Sequence, residues 1–397
     1  MHYRRSLYLD RIRPFIGSPV IKVITGMRRV GKSVFLGQVA DLVRLISPGT
    51  KILSVNMELM ENWQYRDGIL LHRMITDQGT DMALFLDEVQ DIRGWEEIVS
   101  SLLARGGVDL YITGSNAQML SSELATKIAG RYVEFQIYPL GLSEFIEFRG
   151  DDAVSLDEEF RLYLKFGGMP ALHSMELSWE VACQYLQSVK DTVLLNDVIT
   201  RNSIRNIPLL ESVFTFLADN IGSLFSAKRI ADYLGSLGRS TSVNTVIDFI
   251  RYLSDAFAFH YVRRYDLRGK KQLEYTGKAF LNDLAFRHAL FGYREGDISG
   301  FLENIIYMEL RRRGYSIFIG WMDGKEIDFT AHRGDETIYI QVAYLLASEE
   351  TIDREFLPLM NIQDNCPKMV LSMDRDFPSR KGIPQIYIPE FLTGAQS

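Results

Sequence analysis

The sequence predicts an α/β protein built on a parallel sheet, followed by a helical stretch, a helix–turn–helix–hairpin module and a small α/β end. Three observations carry this. Over residues 20–137, short β-rich runs alternate with helical stretches, the pattern of parallel strands joined by covering helices. A glycine loop stands between the first strand and the first helix. From about residue 155 the alternation stops, and helices follow one another up to a hairpin near residue 260.

Each element has its own signal. Residues 20–24 (Val-Ile-Lys-Val-Ile) form a β-branched run. Residues 34–46 place Phe35, Leu36, Val39, Leu42 and Val43 at helical spacing. Further strands are expected at 51–56, 82–86, 108–113 and 133–137. Beyond them, 156–165 and 179–201 read as helices broken by Gly167-Gly168-Met169-Pro170. Residues 209–237 read as two helices divided near Gly222-Ser223, and 240–253 as another with Ser240 or Thr241 as N-cap. Strands at 257–265 and 272–275 complete a winged-helix order. The end carries a helix at 300–313 and strands at 316–321, 326–332 and 337–343.

The chain has 397 residues, with 47% hydrophobic and 24% charged, so wholesale disorder is ruled out and two to three domains are expected. Cys183 and Cys366 stand far apart without metal-ligand spacing, which argues against a disulfide scaffold or zinc cluster and for a reducing, cytoplasmic setting. No apolar run reaches the ~18 residues of a membrane span, so no membrane partner is expected. The N-terminus lacks the apolar core of a secretion signal. A net charge of −7 excludes a general nucleic-acid coat but allows a local basic face.

The chemistry starts at Gly26-Met27-Arg28-Arg29-Val30-Gly31-Lys32-Ser33, an ungapped GxxxxGK[ST] between strand and helix. Gly26 and Gly31 let the backbone curl round phosphate oxygens. Free N–H groups at the helix start, extending to Val34, receive anionic phosphate. Lys32 brings a point charge to the β- and γ-phosphates, and the Ser33 hydroxyl is a ligand for Mg²⁺. An apolar strand then delivers Asp87 and Glu88 at its carboxyl end, where open α/β sheets bind ligands. Asp87 suits the Mg²⁺ shell, and Glu88 suits a general base or a group that orients water. Ser115 and Asn116 end the next strand as a sensor of nucleotide state or as a simple Ser or Asx turn. Arg131 is either a finger on γ-phosphate, in cis or from a neighbouring subunit, or a surface arginine pairing with Glu134 or Glu123.

These residues resemble the bacterial and archaeal P-loop ATPases of the AAA+ superfamily that carry a C-terminal domain of unknown function. The matching segments are residues 24–33, Leu86-Asp87-Glu88-Val89-Gln90, Ile112-Thr113-Gly114-Ser115-Asn116, Ala129-Gly130-Arg131-Tyr132, Tyr138-Pro139-Leu140, Phe166-Gly167-Gly168-Met169-Pro170 and Phe301-Leu302-Glu303-Asn304. The resemblance covers nearly the whole chain. It implies an AAA+ core at 1–150, a helical lid at 151–206, a winged helix at 207–276 and a terminal domain similar to restriction-endonuclease-like nucleases at 277–397. It also implies ATP, rather than GTP, as the nucleotide.

Residues 228–271 hold nine basic side chains against four acids, a local balance of +5. Ser240 to Thr245 would open a recognition helix, and Arg268, Lys270 and Lys271 would sit on the wing, an arrangement suited to DNA. The alternative is a module that packs on a protein partner. In the terminal domain, Glu303 and Asp328 match two metal-binding acids of a nuclease, but Gln341 and Ala343 stand where a third carboxylate and a lysine are required. A lapsed cutting site is therefore expected. Glu303 and Asp328 are left as a weak metal site or as structural acids facing Arg311, Arg312, Arg313 or Lys325, with Tyr339, Val342 and Tyr344 as core and face residues. The leading expectation is Mg²⁺-dependent ATP hydrolysis coupled to C-terminal DNA- or protein-binding modules. The alternatives are a nucleotide-gated scaffold with negligible turnover and an ATP-regulated nuclease.

Overall fold

Every residue of Ile21–Thr25 (β1) and Met82–Asp87 (β3) is buried, as strands covered on both faces must be. With Lys51–Asn56 (β2), Val108–Gly114 (β4) and Tyr132–Gln136 (β5) they form a parallel sheet in the order β2-β3-β4-β1-β5. The five strands lie within a residue or so of their expected positions. Ser6–Ile12 (α1), Lys32–Ile46 (α2), Gly68–Asp77 (α3) and Trp95–Arg105 (α4) accompany the sheet. Asp67 starts α3 by accepting from the N–H groups of Ile69 and Leu70. Phe85 and Tyr111, paired on the parallel strands β3 and β4, stack with centroids 4.5 Å apart, an aromatic pair worth about 0.5–1.5 kcal/mol beyond its burial.

The computed structural model describes residues 3–79, 81–117, 130–269 and 271–394. It divides into two units, Met1–Tyr138 with Asp255–Phe257, and Pro139–Ser254 with Ala258–Ser397. Among the described residues no helix is long and apolar enough to cross a membrane.

The second unit opens with helices Leu142–Arg149 (α5), Leu156–Phe166 (α6) and Trp179–Thr192 (α7), the last running into a π-helical stretch at Val193–Thr200. At the break after α6, Gly167 has φ 71°, and a Cβ there would sit 1.9 Å from the Asp283 carboxylate. That explains the glycine of the 166–170 motif. Ile207–Asp219 (α8), Ala227–Ser236 (α9) and Val243–Asp255 (α10) follow. The cap of α10 is Ser242, whose hydroxyl accepts from Thr245 N–H, rather than the expected Ser240 or Thr241. Phe259–Asp266 (β6) and Lys271–Leu281 (β7) make an antiparallel hairpin. After Ala285–Phe291 (α11) and Ile298–Arg312 (α12) come Ser316–Met322 (β8), Lys325–Arg333 (β9), Glu336–Val342 (β10), Glu349–Met360 (α13), Lys368–Ser372 (β11), Gln385–Tyr387 (β12) and Ile388–Thr393 (α14). The hairpin and these later strands share one mixed sheet, β12-β11-β10-β9-β8-β6-β7, joined through the parallel pair β6–β8. The expected division at residue 276 therefore falls within β7. Asn304 fixes the middle of α12 to this sheet by exchanging two hydrogen bonds with the Leu281 backbone, at 2.7 and 2.9 Å.

Candidate nucleotide site

The loop after β1 is shaped by its backbone. Gly26 has φ 146°, and a Cβ there would lie 2.4 Å from the Ile137 carbonyl oxygen. Gly31, at φ 93°, is the N-cap of α2, and Arg29 takes a left-handed φ of 68°. The helix starts at Lys32, so Ser33 and the exposed Val34 lie in its first turn. The side chain of Lys32 is 4% exposed; its Nζ donates to the Met27 carbonyl at 3.2 Å and stands 3.6 Å from Glu88 Oε1. Arg5, 4% exposed, holds the loop from behind by donating to the carbonyls of Val30 (3.4 Å) and Tyr138 (2.9 Å). Sequence reading missed Arg5, because its partners lie 25 and 133 residues away.

Opposite the loop, β3 ends in Asp87 and Glu88, 3% and 6% exposed. Asp87 accepts from the hydroxyl of Thr113 and from Asn56 Nδ2 at 3.0 Å, with the Ser33 hydroxyl close by. Burial pushes its carboxyl above the usual range, and the Glu88 charge adds to that. The Thr113 and Ser33 hydroxyls and the Lys32 ammonium pull it back. Glu88 sits at φ 58° and ψ 55°, a costly conformation for a non-glycine residue. It is held there by its N–H donating to Thr113 Oγ1 at 2.9 Å, and its carboxylate accepts from Gln90 Nε2. Thr113, Asn56 and Gln90 were not singled out from the sequence. Their signal was position, since each ends or follows a strand at the same sheet edge.

Ser115 and Asn116 are buried just beyond β4, whose Gly114 pairs with Thr25 at the end of β1. They therefore join the loop, Lys32, Ser33, Asp87 and Glu88 at the carboxyl edge. Arg131 does not. It precedes β5 at the register of Ile21, the opposite end of β1, roughly 16 Å from the loop at ~3.3 Å per residue. Its side chain is exposed. Glu134 accepts from Thr25 Oγ1, and Ala129 and Glu123 lie outside the described residues.

The chain is 36% identical over 396 residues, 98% of each chain, to an uncharacterized protein of Haemophilus influenzae. It is 29% identical over 358 residues to an uncharacterized protein of Methanocaldococcus jannaschii, covering 84% of this chain and 77% of that one. The family described as an AAA domain matches residues 18–146, the part that holds the whole loop-and-carboxylate site. The chain belongs to one family with the Haemophilus protein, and it carries an AAA domain. A domain of unknown function (DUF8612) matches residues 157–297 of this AAA+ protein. Similar solved structures include an Aeropyrum pernix ORC1 protein in complex with DNA, at 14% identity and TM-score 0.30 over 72% of this chain and 92% of that one. AMPPCP-bound DnaA from Aquifex aeolicus matches at 14% and 0.32 over 62% and 85%.

In the second unit of this AAA+ protein, Glu303, Asp328 and Gln341 do come together. Gln341 Oε1 accepts from the Asp328 N–H at 2.6 Å, and Asp328 Oδ2 accepts from the Val342 N–H at 2.9 Å. The basic partner is not among those expected. Arg312 and Arg313 pair with Glu309, whereas Lys278 Nζ lies 2.6 Å from Glu303 Oε2, 2.8 Å from Glu326 Oε1 and 3.5 Å from Asp328 Oδ1. Tyr339 and Val342 are buried, and Tyr344 is exposed.

Proposed function

We propose that this chain binds ATP at residues 26–34 and hydrolyses it. The observation that carries the reading is the convergence of Lys32, Ser33, Asp87 and Glu88 at one edge of a parallel sheet. Backbone N–H groups from Gly26 to Gly31 and the first turn of α2 receive the phosphates, with Lys32 as point charge. Ser33 and Asp87 are neighbouring hard oxygen donors, a set that fits Mg²⁺ and would hold it. When bound, the ion offsets charge on the β- and γ-phosphates. Glu88 takes the proton of the attacking water, and Asn116 senses the γ-phosphate. A phosphate entering the loop competes with Glu88 for the Lys32 ammonium, so binding frees the carboxylate for the water. Arg131, remote from its own loop, reaches the γ-phosphate of a neighbouring copy.

The C-terminal modules bind a partner, with DNA favoured by the basic stretch. Lys228, Arg229, Arg239, Arg251, Arg263 and Arg268 are all exposed. Asp248 and Asp323 partly offset Arg251 and Arg268, at 3.0 and 2.8 Å. Lys270 lies outside the described residues. The free thiols of Cys183 and Cys366 support a cytoplasmic setting. Calorimetry with ATP tests the site: Lys32→Ala and Lys32→Arg should both lose most affinity, because a planar fork does not replace a compact ammonium. Near-normal binding by Lys32→Ala would remove this loop from the account.

A further inference from the structure

Three carboxylates of the second unit converge on one buried ammonium. Glu303 comes from α12, Glu326 and Asp328 from β9, and Lys278 from the edge strand β7. The Lys278 side chain is 3% exposed, and its three N–H donors face three carboxylate oxygens at 2.6, 2.8 and 3.5 Å. Burial alone would lower its pKa; the charges of Glu303, Asp328 and Glu326 outweigh that and raise it, so the group stays cationic. The other side of the cluster is also satisfied. Asp328 Oδ2 is taken by the Val342 N–H, and Gln341 uses both ends of its amide, one on Asp328 N–H and the other on Glu355 at 3.2 Å. Among the described residues no group of three His, Cys, Asp or Glu side chains is arranged to hold a metal ion.

We propose that the Lys278 ammonium is the resident cation of this cluster, standing where the carboxylates would otherwise require a divalent ion. A tetrahedral ammonium with three donors matches three oxygen partners and needs no dehydration of a small hard cation. It carries half the charge of Mg²⁺, cannot lower the pKa of a bound water as a metal does, and blocks the space between the acids. It also joins β7, α12 and β9 at one atom, so the same contact that silences the centre fastens the hairpin edge to the rest of the sheet. Removing one partner of such a buried group leaves uncompensated charge, which is why a neutral variant should acquire an affinity for cations.

The test is Mn²⁺ titration of the full chain without nucleotide, following the loss of the free-ion electron paramagnetic resonance signal. Wild type should take up no more Mn²⁺ than Asp328→Asn. Lys278→Met should take up one further equivalent, lost again in Lys278→Met combined with Asp328→Asn. Thermal melting of the same set should show a Mn²⁺-dependent rise in Tm for Lys278→Met alone. An Asp328-dependent Mn²⁺ site in wild type would overturn the proposal, and this comparison stands even if Lys278→Met fails to fold. A folded Lys278→Met that gains no Mn²⁺ would overturn it equally.

Discussion

The hydroxyl of Thr113 donates to the Asp87 carboxylate across neighbouring strands, and the same oxygen accepts the N–H of Glu88. One side chain thus sets the orientation of the candidate metal ligand and secures the strained backbone of the candidate base. Thr113→Val keeps shape and strand propensity but removes both bonds. It should lower phosphate release about 10–100-fold, as loss of an outer-shell partner does. It should also lower stability by about 1–3 kcal/mol through the buried, unpaired Glu88 N–H. Malachite-green assay and urea unfolding measure the two. Unchanged turnover would make Thr113 a packing residue only.

Arg131 lies at the end of β1 opposite its own loop, and the proposed role is on the nucleotide of a neighbouring copy. Specific activity should then rise with protein concentration. Mixing inactive Arg131→Ala with inactive Glu88→Gln should restore part of the turnover. Activity independent of concentration, with no complementation, would leave Arg131 as a surface residue.

Asp283 gives a pH signature. It is 4% exposed and accepts from the N–H groups of Gly168 (2.8 Å) and Ala285 (2.9 Å), yet burial still raises its pKa to about 6. Between ~4, the unfolded value, and that folded value, the native state holds a proton that the unfolded chain has released. Stability should therefore fall as pH rises through this window, by on the order of 2–3 kcal/mol. Urea unfolding from about pH 4 to about pH 7 should show this slope in wild type and lose it in Asp283→Asn. Equal slopes in both proteins would contradict it.

Asp328 is tied to Lys278 and to the Val342 N–H, so Asp328→Ala should act on stability rather than cleavage. A loss of about 1–3 kcal/mol is expected. Supercoiled and linear DNA incubated with Mg²⁺ or Mn²⁺ should stay intact with wild type, with or without ATP. Wild-type nicking that disappears in Asp328→Ala would make the chain an ATP-regulated nuclease.

The parallel sheet and the phosphate loop were legible because their signals are local. β1, β3 and β4 are short apolar runs, and Gly26 to Ser33 is a motif with fixed spacing. What stayed hidden depends on contacts between distant segments. Thr113 meets Asp87 26 residues away, and Arg5 meets Tyr138 133 residues away. Lys278 sits on a strand remote from the motif position where a lysine was sought, so the sequence showed Ala343 and a missing cation while the fold supplies one from β7. The same limit explains the hairpin. The strands at 257–265 and 272–275 read as the end of a module closing at 276, and only the β6–β8 pairing reveals that the hairpin continues the terminal sheet.

Phosphate release by wild type and Glu88→Gln, each with ATP binding measured by calorimetry, tests ATP turnover through Glu88 most directly. Both proteins should bind ATP with similar affinity, and Glu88→Gln should release phosphate at least ~10²-fold more slowly. Equal rates, or a wild type that binds ATP without releasing phosphate, would contradict the hydrolysis reading, and the latter would favour a nucleotide-gated scaffold.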